Sequence, residues 1–304
     1  MTMVVAGIGQ CCLDFIALVD AYPEADTKKE VMKWMIQGGG PVATALATLS
    51  RFRIPCRFAG VVGDDDAGAG ILRSLLTAQI DTAYLIEREG ATSQRAFIAV
   101  EKDGGRRTIF WQRPSGPELT PDEIDDDFFR GVKFLLLDGL MKDVSLGAAK
   151  RARELGIPVM LDAGRVRDGM LELAALCDYV VGSEEFARGL GWNGDAPAFA
   201  ETVRERGWGT TTITLGERGS YTYHGFRSIY VPAFQVEAID TTGAGDVFHG
   251  AYVAGLLQGW DLETVLYFAS GAAALKCTVF GGRSGIPELA TLVTFLRQRG
   301  IELT

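Results

Sequence analysis

The stretch with the most chemical content runs from Asp240 to Ala251 and reads Asp-Thr-Thr-Gly-Ala-Gly-Asp-Val-Phe-His-Gly-Ala. Gly243 and Gly245 remove side chains where the chain turns into a long apolar helix, predicted over 247–258. The first N–H groups of a helix have no partner inside it and lie at the positive end of its dipole. A phosphate can therefore rest directly on backbone N–H groups at this turn. Asp246 falls in the same first turn. Its carboxylate would repel a phosphate, yet it can take the proton of an attacking hydroxyl while the helix terminus receives a phosphoryl group. The simpler use of such an acid is to stabilise the first turn, worth ~0.3–1 kcal/mol. His249, one turn further on, is not needed for this chemistry and is assigned to packing.

Composition narrows the alternatives. The chain has 304 residues and a net charge of −9, which argues against nucleic acid or an anionic membrane as the main partner. There are two histidines, His224 and His249, so a Ser-His-Asp triad or a multi-histidine metal site has little to draw on. Glycine, by contrast, is abundant, at 38 residues where about 7% of a chain is usual. The five cysteines are odd in number and form no C-x-x-C pair, which points away from disulfides and zinc and toward a reducing, cytoplasmic setting. No secretion signal is recognisable at the N-terminus, and no apolar run approaches the ~20 residues of a membrane helix.

The elements that must hold the Asp240–Ala251 string follow from periodicity. Short apolar runs at 4–8, 56–62, 133–138, 158–162, 179–181 and 210–215 read as buried strands, and 228–234 reads as the strand before the string. Amphipathic or apolar helices are predicted over 41–52, 67–78, 144–155, 247–258, 262–277 and 287–299. Alternation of this kind predicts a three-layer α/β/α sandwich around a mostly parallel sheet, as one domain over 1–304. Four strand-like stretches break the rhythm, at 15–19, 31–37, 94–100 and 107–112, with Asp103-Gly104-Gly105 as a hairpin turn between the last two. They form either an antiparallel edge of the main sheet or a small second sheet that covers the strand ends, where open α/β sheets bind ligands.

With these segments in place the chain resembles the ribokinase-like (PfkB) sugar and nucleoside kinases. Asp240–Ala251 is similar to the family's C-terminal signature, Gly38-Gly39-Gly40-Pro41-Val42-Ala43-Thr44-Ala45 to its glycine-rich N-terminal signature, and Thr214-Leu215-Gly216-Glu217-Arg218-Gly219 to its nucleotide-contacting segment. Gly7–Asp14 resembles the strand that ends in the family's substrate-binding aspartate. The resemblance implies Asp246 as catalytic base and Gly243, Ala244 and Gly245 as anion hole. It implies Asp14, Gly39 and Gly40 as substrate ligands, and Thr214, Gly216 and Gly219 along ATP. Asp240 and Thr242 would face a monovalent cation such as K⁺, with backbone carbonyls from Lys276 to Gly285 completing that site. ATP and Mg²⁺ are the implied cofactors. The strand-like stretches within about 15–37 and 94–113 become a lid that also forms a homodimer contact.

The motifs of 38–44 and 275–287 look most like the sulfofructose kinase branch, yet Asp138-Gly139-Leu140 stands where that branch has its sulfonate-binding arginine. Ala43 replaces a common asparagine, and Ser183-Glu184-Glu185-Phe186 occupies the place of an N-x-x-E element. Lys28, Lys33, Arg95 and Arg113 lie in or beside the lid and could meet an anionic group on the substrate. The expectation is an ATP-dependent kinase acting on a hydroxymethyl group of a sugar or sugar derivative. A nucleoside kinase is the alternative, with Trp34, Phe97, Phe110 and Trp111 as an apolar slot for a base. A non-catalytic sugar- or nucleotide-binding regulator is the third. A Rossmann dehydrogenase fails at Cys12, which replaces the third glycine of G-x-G-x-x-G.

Overall fold

The computed structural model describes residues 3–303. Among the described residues, thirteen strands divide between two sheets. The large sheet is built on β1 (Val4–Ile8), flanked on one side by β4 (Cys56–Gly63) and β5 (Ile80–Arg88). On the other side follow β8 (Val132–Leu137), β9 (Val159–Ala163), β10 (Tyr179–Ser183) and β11 (Thr210–Thr214). All these neighbours pair in parallel. An antiparallel edge of β12 (Ser220–His224) and β13 (Arg227–Val231) completes the nine strands.

Successive residues of the central strands enter opposite cores, the period-two consequence of an extended chain buried on both faces. Val5, Leu136, Met160 and Val181 join one core with α1 (Pro41–Arg51), α2 (Asp66–Thr77), α7 (Ala244–Leu257), α8 (Leu262–Cys277) and α9 (Leu289–Arg297). Ala6, Leu135, Leu161 and Val180 join the other, with α3 (Lys142–Glu154), α4 (Met170–Leu176), α5 (Glu184–Arg188) and α6 (Ala196–Glu205). The predicted three-layer sandwich is therefore present. α7 and α8 are apolar nearly all round and buried accordingly, from Val247 to Gly255 in α7. Among the described residues no helix is long and apolar enough to cross a membrane.

The rhythm-breaking stretches form a separate four-stranded sheet, so the edge-strand alternative does not hold. Its order is β3 (Lys33–Gly39), β2 (Cys12–Val19), β6 (Arg95–Glu101) and β7 (Arg107–Gln112). Register aligns Ile36, Phe15, Phe97 and Phe110 across the four strands on one face. Phe15 and Phe97 lie 6.3 and 5.9 Å from Trp34, and Phe97 lies 6.3 Å from Phe110. This row faces away from the main body, leaving Trp34, Phe97 and Phe110 exposed. The opposite face carries Asp14, Ala96, Ile98, Ile109 and Trp111 toward the large sheet.

Three sequence expectations are corrected. Asp14 does not end a core strand; it is the third residue of β2, paired with Gln37 and Ala96 in the small sheet. The Asp240–Ala251 string does not follow a strand directly, because β13 stops at Val231 and an irregular segment leads to α7. Strands β5 and β12 and helices α4, α5 and α6 were not anticipated. β5 is an edge strand in which only Ile80 is fully buried and the rest are exposed or half-buried, which weakens the apolar signal.

Candidate active site at the mouth of the parallel sheet

The strand order reverses between β1 and β8, the switch point where open α/β sheets leave a crevice beyond their carboxyl ends. Asp138, just past β8, spans it. Its carboxylate accepts from the Gln10 amide (2.8 Å) and the Leu140 amide (3.0 Å), and burial raises its pKa to about 7. Above the crevice, a cavity of about 430 Å³ is enclosed by the small sheet and the start of α7. Asp14, Gly40, Thr242, Gly243, Gly245 and Asp246 all line it. A larger hollow of about 810 Å³ lies beyond β3, between α1 and α2, and touches neither Asp14 nor Asp246.

Gly243 caps α7 in the left-handed conformation, φ 74°, which a side chain would strain. The first internal bond of the helix runs from Val247 N to the Gly243 carbonyl, at 2.9 Å. The Ala244 amide turns back to Thr241 O at 3.3 Å, leaving Gly245 and Asp246 with amides that have no partner within the helix. No atom crowds the position a Gly245 side chain would take. Free amides at a helix N-terminus make this turn the candidate anion cradle.

Asp246 is half-buried beside that cradle. Burial first, then the Asp162 carboxylate, push its pKa well above the usual carboxylate range, while His249 and Arg107 pull against them. His249 is buried, with Nδ1 3.2 Å from Asp162 Oδ2 in a close ion pair rather than an aligned hydrogen bond. Its Nε2 lies 3.2 Å from the Val181 carbonyl. Burial most strongly opposes its protonation, but Asp162, Asp246 and the Val181 carbonyl together outweigh it and raise its pKa. His249 does pack as expected, and it also sets the charge environment of the catalytic candidate. Asp162, Asp246 and His249 bring one donor atom each within 4.8 Å of one another.

Asp14 is 9% exposed, and burial raises its pKa against the pull of Cys12 and Arg283. Gly39 is required here: a Cβ on it would stand 2.0 Å from Asp14 Oδ2. Its carbonyl accepts from Arg283 Nη2 at 3.0 Å, and the same guanidinium reaches Thr44 Oγ1 and Ser74 Oγ, both at 3.1 Å. Arg283 thus fastens the glycine-rich turn to the loop after α8. The tip of the small sheet also docks on the anion cradle. Gly105 O accepts from Thr241 N (3.1 Å) and Oγ1 (3.0 Å), and Arg107 Nη1 donates to Thr241 O and Oγ1, both at 3.0 Å.

Other expected residues sit apart. Lys28 is a correction: it is exposed in the loop between β2 and β3, at the far end of β2 from Asp14, and does not line the cavity. Arg95 is engaged by Asp65 at 2.8 Å, and Lys33 lies 5.2 Å from the Phe280 ring centre. Arg113 does line the cavity, 4.9 Å over Trp111, together with Arg107, Arg165 and Arg167. Trp34, Phe97 and Phe110 face outward and offer no slot; Trp111 and Ile109 line the wall. Thr214, Gly216 and Gly219 form the turn at the end of β11, closed by Leu215 N donating to Gly219 O at 2.8 Å, outside this cavity. Glu184 is tied up by Arg188 and Arg218, while Glu185 is 69% exposed and 3.9 Å from Arg165. Asp240 and Thr242 join at 2.7 Å through the Thr242 amide and the Asp240 carboxylate.

Asp162, Arg165, Arg167 and Arg283 escaped the sequence reading. Asp162 had a signal: like Asp138, it is an acid that interrupts an apolar run of a parallel strand at its carboxyl end.

Comparison with known proteins agrees with this geometry. The family model for pfkB family carbohydrate kinases matches residues 1–289. An ATP-dependent ribose-1-phosphate kinase of Halopiger xanaduensis is 28% identical over 298 residues, covering 97% of this chain and 98% of that one. A ribokinase of Staphylococcus aureus is 27% identical over 301 residues, covering 95% and 98%. The crystal structure of ribokinase from Thermotoga maritima superposes with a TM-score of 0.84 at 26% identity, over 97% of this chain and 99% of that one. These relatives lend no support to the sulfofructose branch. The chain belongs to the PfkB family of carbohydrate kinases, ribokinase-like phosphotransferases that act on alcohol groups.

Proposed function

We propose that the protein transfers the γ-phosphoryl group of ATP to a hydroxymethyl group of a sugar derivative that carries a negative charge. The carrying observation is that Asp246, two partnerless amides and the buried Asp14 share one cavity under the small sheet. Asp14 and the Gly40 turn hold sugar hydroxyls, charge-assisted bonds being the strong ones. As the new P–O bond forms, the hydroxyl proton passes to the Asp246 carboxylate. The bond to the bridging oxygen breaks, and ADP leaves with its electron pair. The partnerless amides of Gly245 and Asp246, beside Gly243, stabilise the charge spread over the phosphoryl oxygens, whereas the expected Ala244 amide is turned to Thr241 O. Closure of the small sheet keeps water out and limits wasteful hydrolysis.

Thr214, Gly216 and Gly219 would border the nucleotide. Mg²⁺ binds through hard oxygens, and Asp162 beside Asp246 and the exposed Glu185 would be the carboxylates to hold it through water; when bound with the nucleotide it would neutralise phosphate charge. The exposed aromatic row on the small sheet supports a homodimer contact there, and five unpaired cysteines fit a cytoplasmic location.

The negative charge on the acceptor is inferred from Arg113, Arg165 and Arg167. Burial lowers the pKa of Arg167, and the neighbouring Arg165 and Arg113 charges lower it further, with Asp138 and Glu185 acting against them. The ribose-1-phosphate kinase relative acts on such a charged sugar by its name. Trp111 and Ile109 on the cavity wall favour a nucleoside as the second reading.

The test is ADP release with neutral sugars, their phosphates and acids, and nucleosides in parallel. It is paired with thermal shift in a non-hydrolysable ATP analogue, where ligand at ~100 Kd adds ~2.7 kcal/mol. A phosphorylated or acidic sugar should give the highest kcat/KM, and Arg167→Gln should raise its KM more than that of ATP. A nucleoside as best acceptor overturns this reading in favour of the second. Binding without turnover across the panel overturns both in favour of a regulator.

A further inference from the structure

Among the described residues, Lys276 is the one lysine that is fully buried, at 0% exposure. It sits in the last turn of α8, and its ammonium donates to the Asp240 carbonyl at 2.6 Å. Asp240 is equally buried. Its two carboxylate oxygens accept from the amides of Thr242 (2.7 Å) and Gly281 (2.8 Å), and its own N–H donates to Cys277 O at 3.1 Å. The pair therefore joins three segments: the loop leading into the anion cradle, the end of α8, and the loop that begins at Gly281. The last of these backs the cradle directly, since a Cβ on Gly243 would lie 3.2 Å from Gly282 O.

A buried ammonium is costly unless its charge is used, and lysine is almost never fully buried without a partner. Here the ammonium rests on the Asp240 carbonyl, and the charge of the Asp240 carboxylate favours its protonated form. Burial is the main influence on Lys276 and lowers its pKa, and Asp240 acts against it. A monovalent cation was expected at this place, between Asp240, Thr242 and the carbonyls of 276–285. The residues do not fit one: the Asp240 carbonyl already holds an ammonium, and both its carboxylate oxygens are engaged by amides. Of the Asp240 and Thr242 side-chain oxygens, Thr242 Oγ1 is the one that is buried without a partner.

We propose that Lys276 is a tethered monovalent cation, a positioning residue whose ammonium holds the loop of the anion cradle in place, so that the enzyme needs no K⁺ from solution. The lysine supplies the same unit charge as K⁺, and because it is covalently attached it forgoes the entropy of binding an ion.

The turnover part of the test rests on the kinase reading; the melting part does not. Wild-type protein is assayed with choline as the sole monovalent cation and again with K⁺ at constant ionic strength, and the melting temperature of the ligand-free protein is taken in both buffers. Turnover and melting temperature should be the same in each. Lys276→Met and Lys276→Ala should lose about tenfold or more in kcat in choline, the equivalent of one charge-assisted hydrogen bond at ~1.4 kcal/mol per decade. Both should recover activity and melting temperature with K⁺, ammonium or methylammonium. Wild-type protein that K⁺ activates several-fold or stabilises specifically overturns the proposal, a result readable even if neither variant folds. Variants that stay impaired in every cation overturn it too, leaving Lys276 a structural anchor. If no acceptor is turned over, the functional reading fails, while the melting comparison still decides on Lys276.

Discussion

Replacing Gly39 by alanine should uncouple the sugar site from the nucleotide site. A Cβ at this position would stand 2.0 Å from Asp14 Oδ2, where real contacts do not fall below 3.0 Å, so the carboxylate must retreat by at least 1.0 Å. The backbone at Gly39 cannot yield instead without breaking the 3.0 Å bond from Arg283 to its carbonyl. A hydrogen bond lengthened by that amount is lost, and one to a charged group is worth ~1.5–3 kcal/mol, or about 10- to 150-fold in affinity. A misplacement of ~1 Å near reacting groups is expected to cost about 10²-fold, which agrees. Steady-state kinetics should show the sugar KM raised or kcat/KM for sugar lowered by that factor. The ATP analogue should bind Gly39→Ala as it binds wild type in calorimetry. A variant with unchanged sugar kinetics would refute the assignment of Asp14 as the sugar's anchor, since its carboxylate cannot stay where it is.

Two further outcomes follow from the charges and backbone of the cradle. Asp246 must be ionised to accept a proton, and its pKa is raised, so kcat/KM should climb with pH through that raised value; Asp162→Asn removes one of the charges raising it and should move the acidic limb of the pH–rate profile to lower pH. An unmoved limb would mean that Asp246 does not control it. Gly243→Ala forces a side chain into the left-handed region and should cost ~1–2 kcal/mol of stability in chemical denaturation, with a larger loss in kcat than in melting temperature. Full activity in that variant would show that the cradle does not depend on this conformation.

The sandwich was legible because its strands and helices are buried so completely. The run Phe134–Leu137 and the helix Leu262–Cys277 can only be interior elements, and both appear where periodicity places them. The Asp240–Ala251 string was legible as the start of a helix because glycines beside an acid in a first turn carry their own physics. What was not legible depends on contacts between distant segments. Asp14 reads as the end of β1, whereas the chain leaves that strand after Ile8 and enters another sheet at Cys12. Gly39 reads as a residue that lets backbone approach a ligand, whereas the space it leaves is filled by Asp14. Arg283 lies 244 positions from the carbonyl it holds. Edge strands such as β5 carry too little apolar pattern to be seen at all.

The central claim is that Asp246 removes the proton of the acceptor hydroxyl. It is tested most directly by Asp246→Asn, which preserves shape and removes the base, with kcat and the Kd of a non-hydrolysable ATP analogue measured on the same preparation. Loss of general-base catalysis predicts a fall in kcat of about 10²–10⁴-fold with nucleotide affinity unchanged or tighter, because a like charge beside the phosphate has gone. A kcat within a few-fold of wild type would contradict the account, leaving Asp246 a first-turn acid of α7 and nothing more.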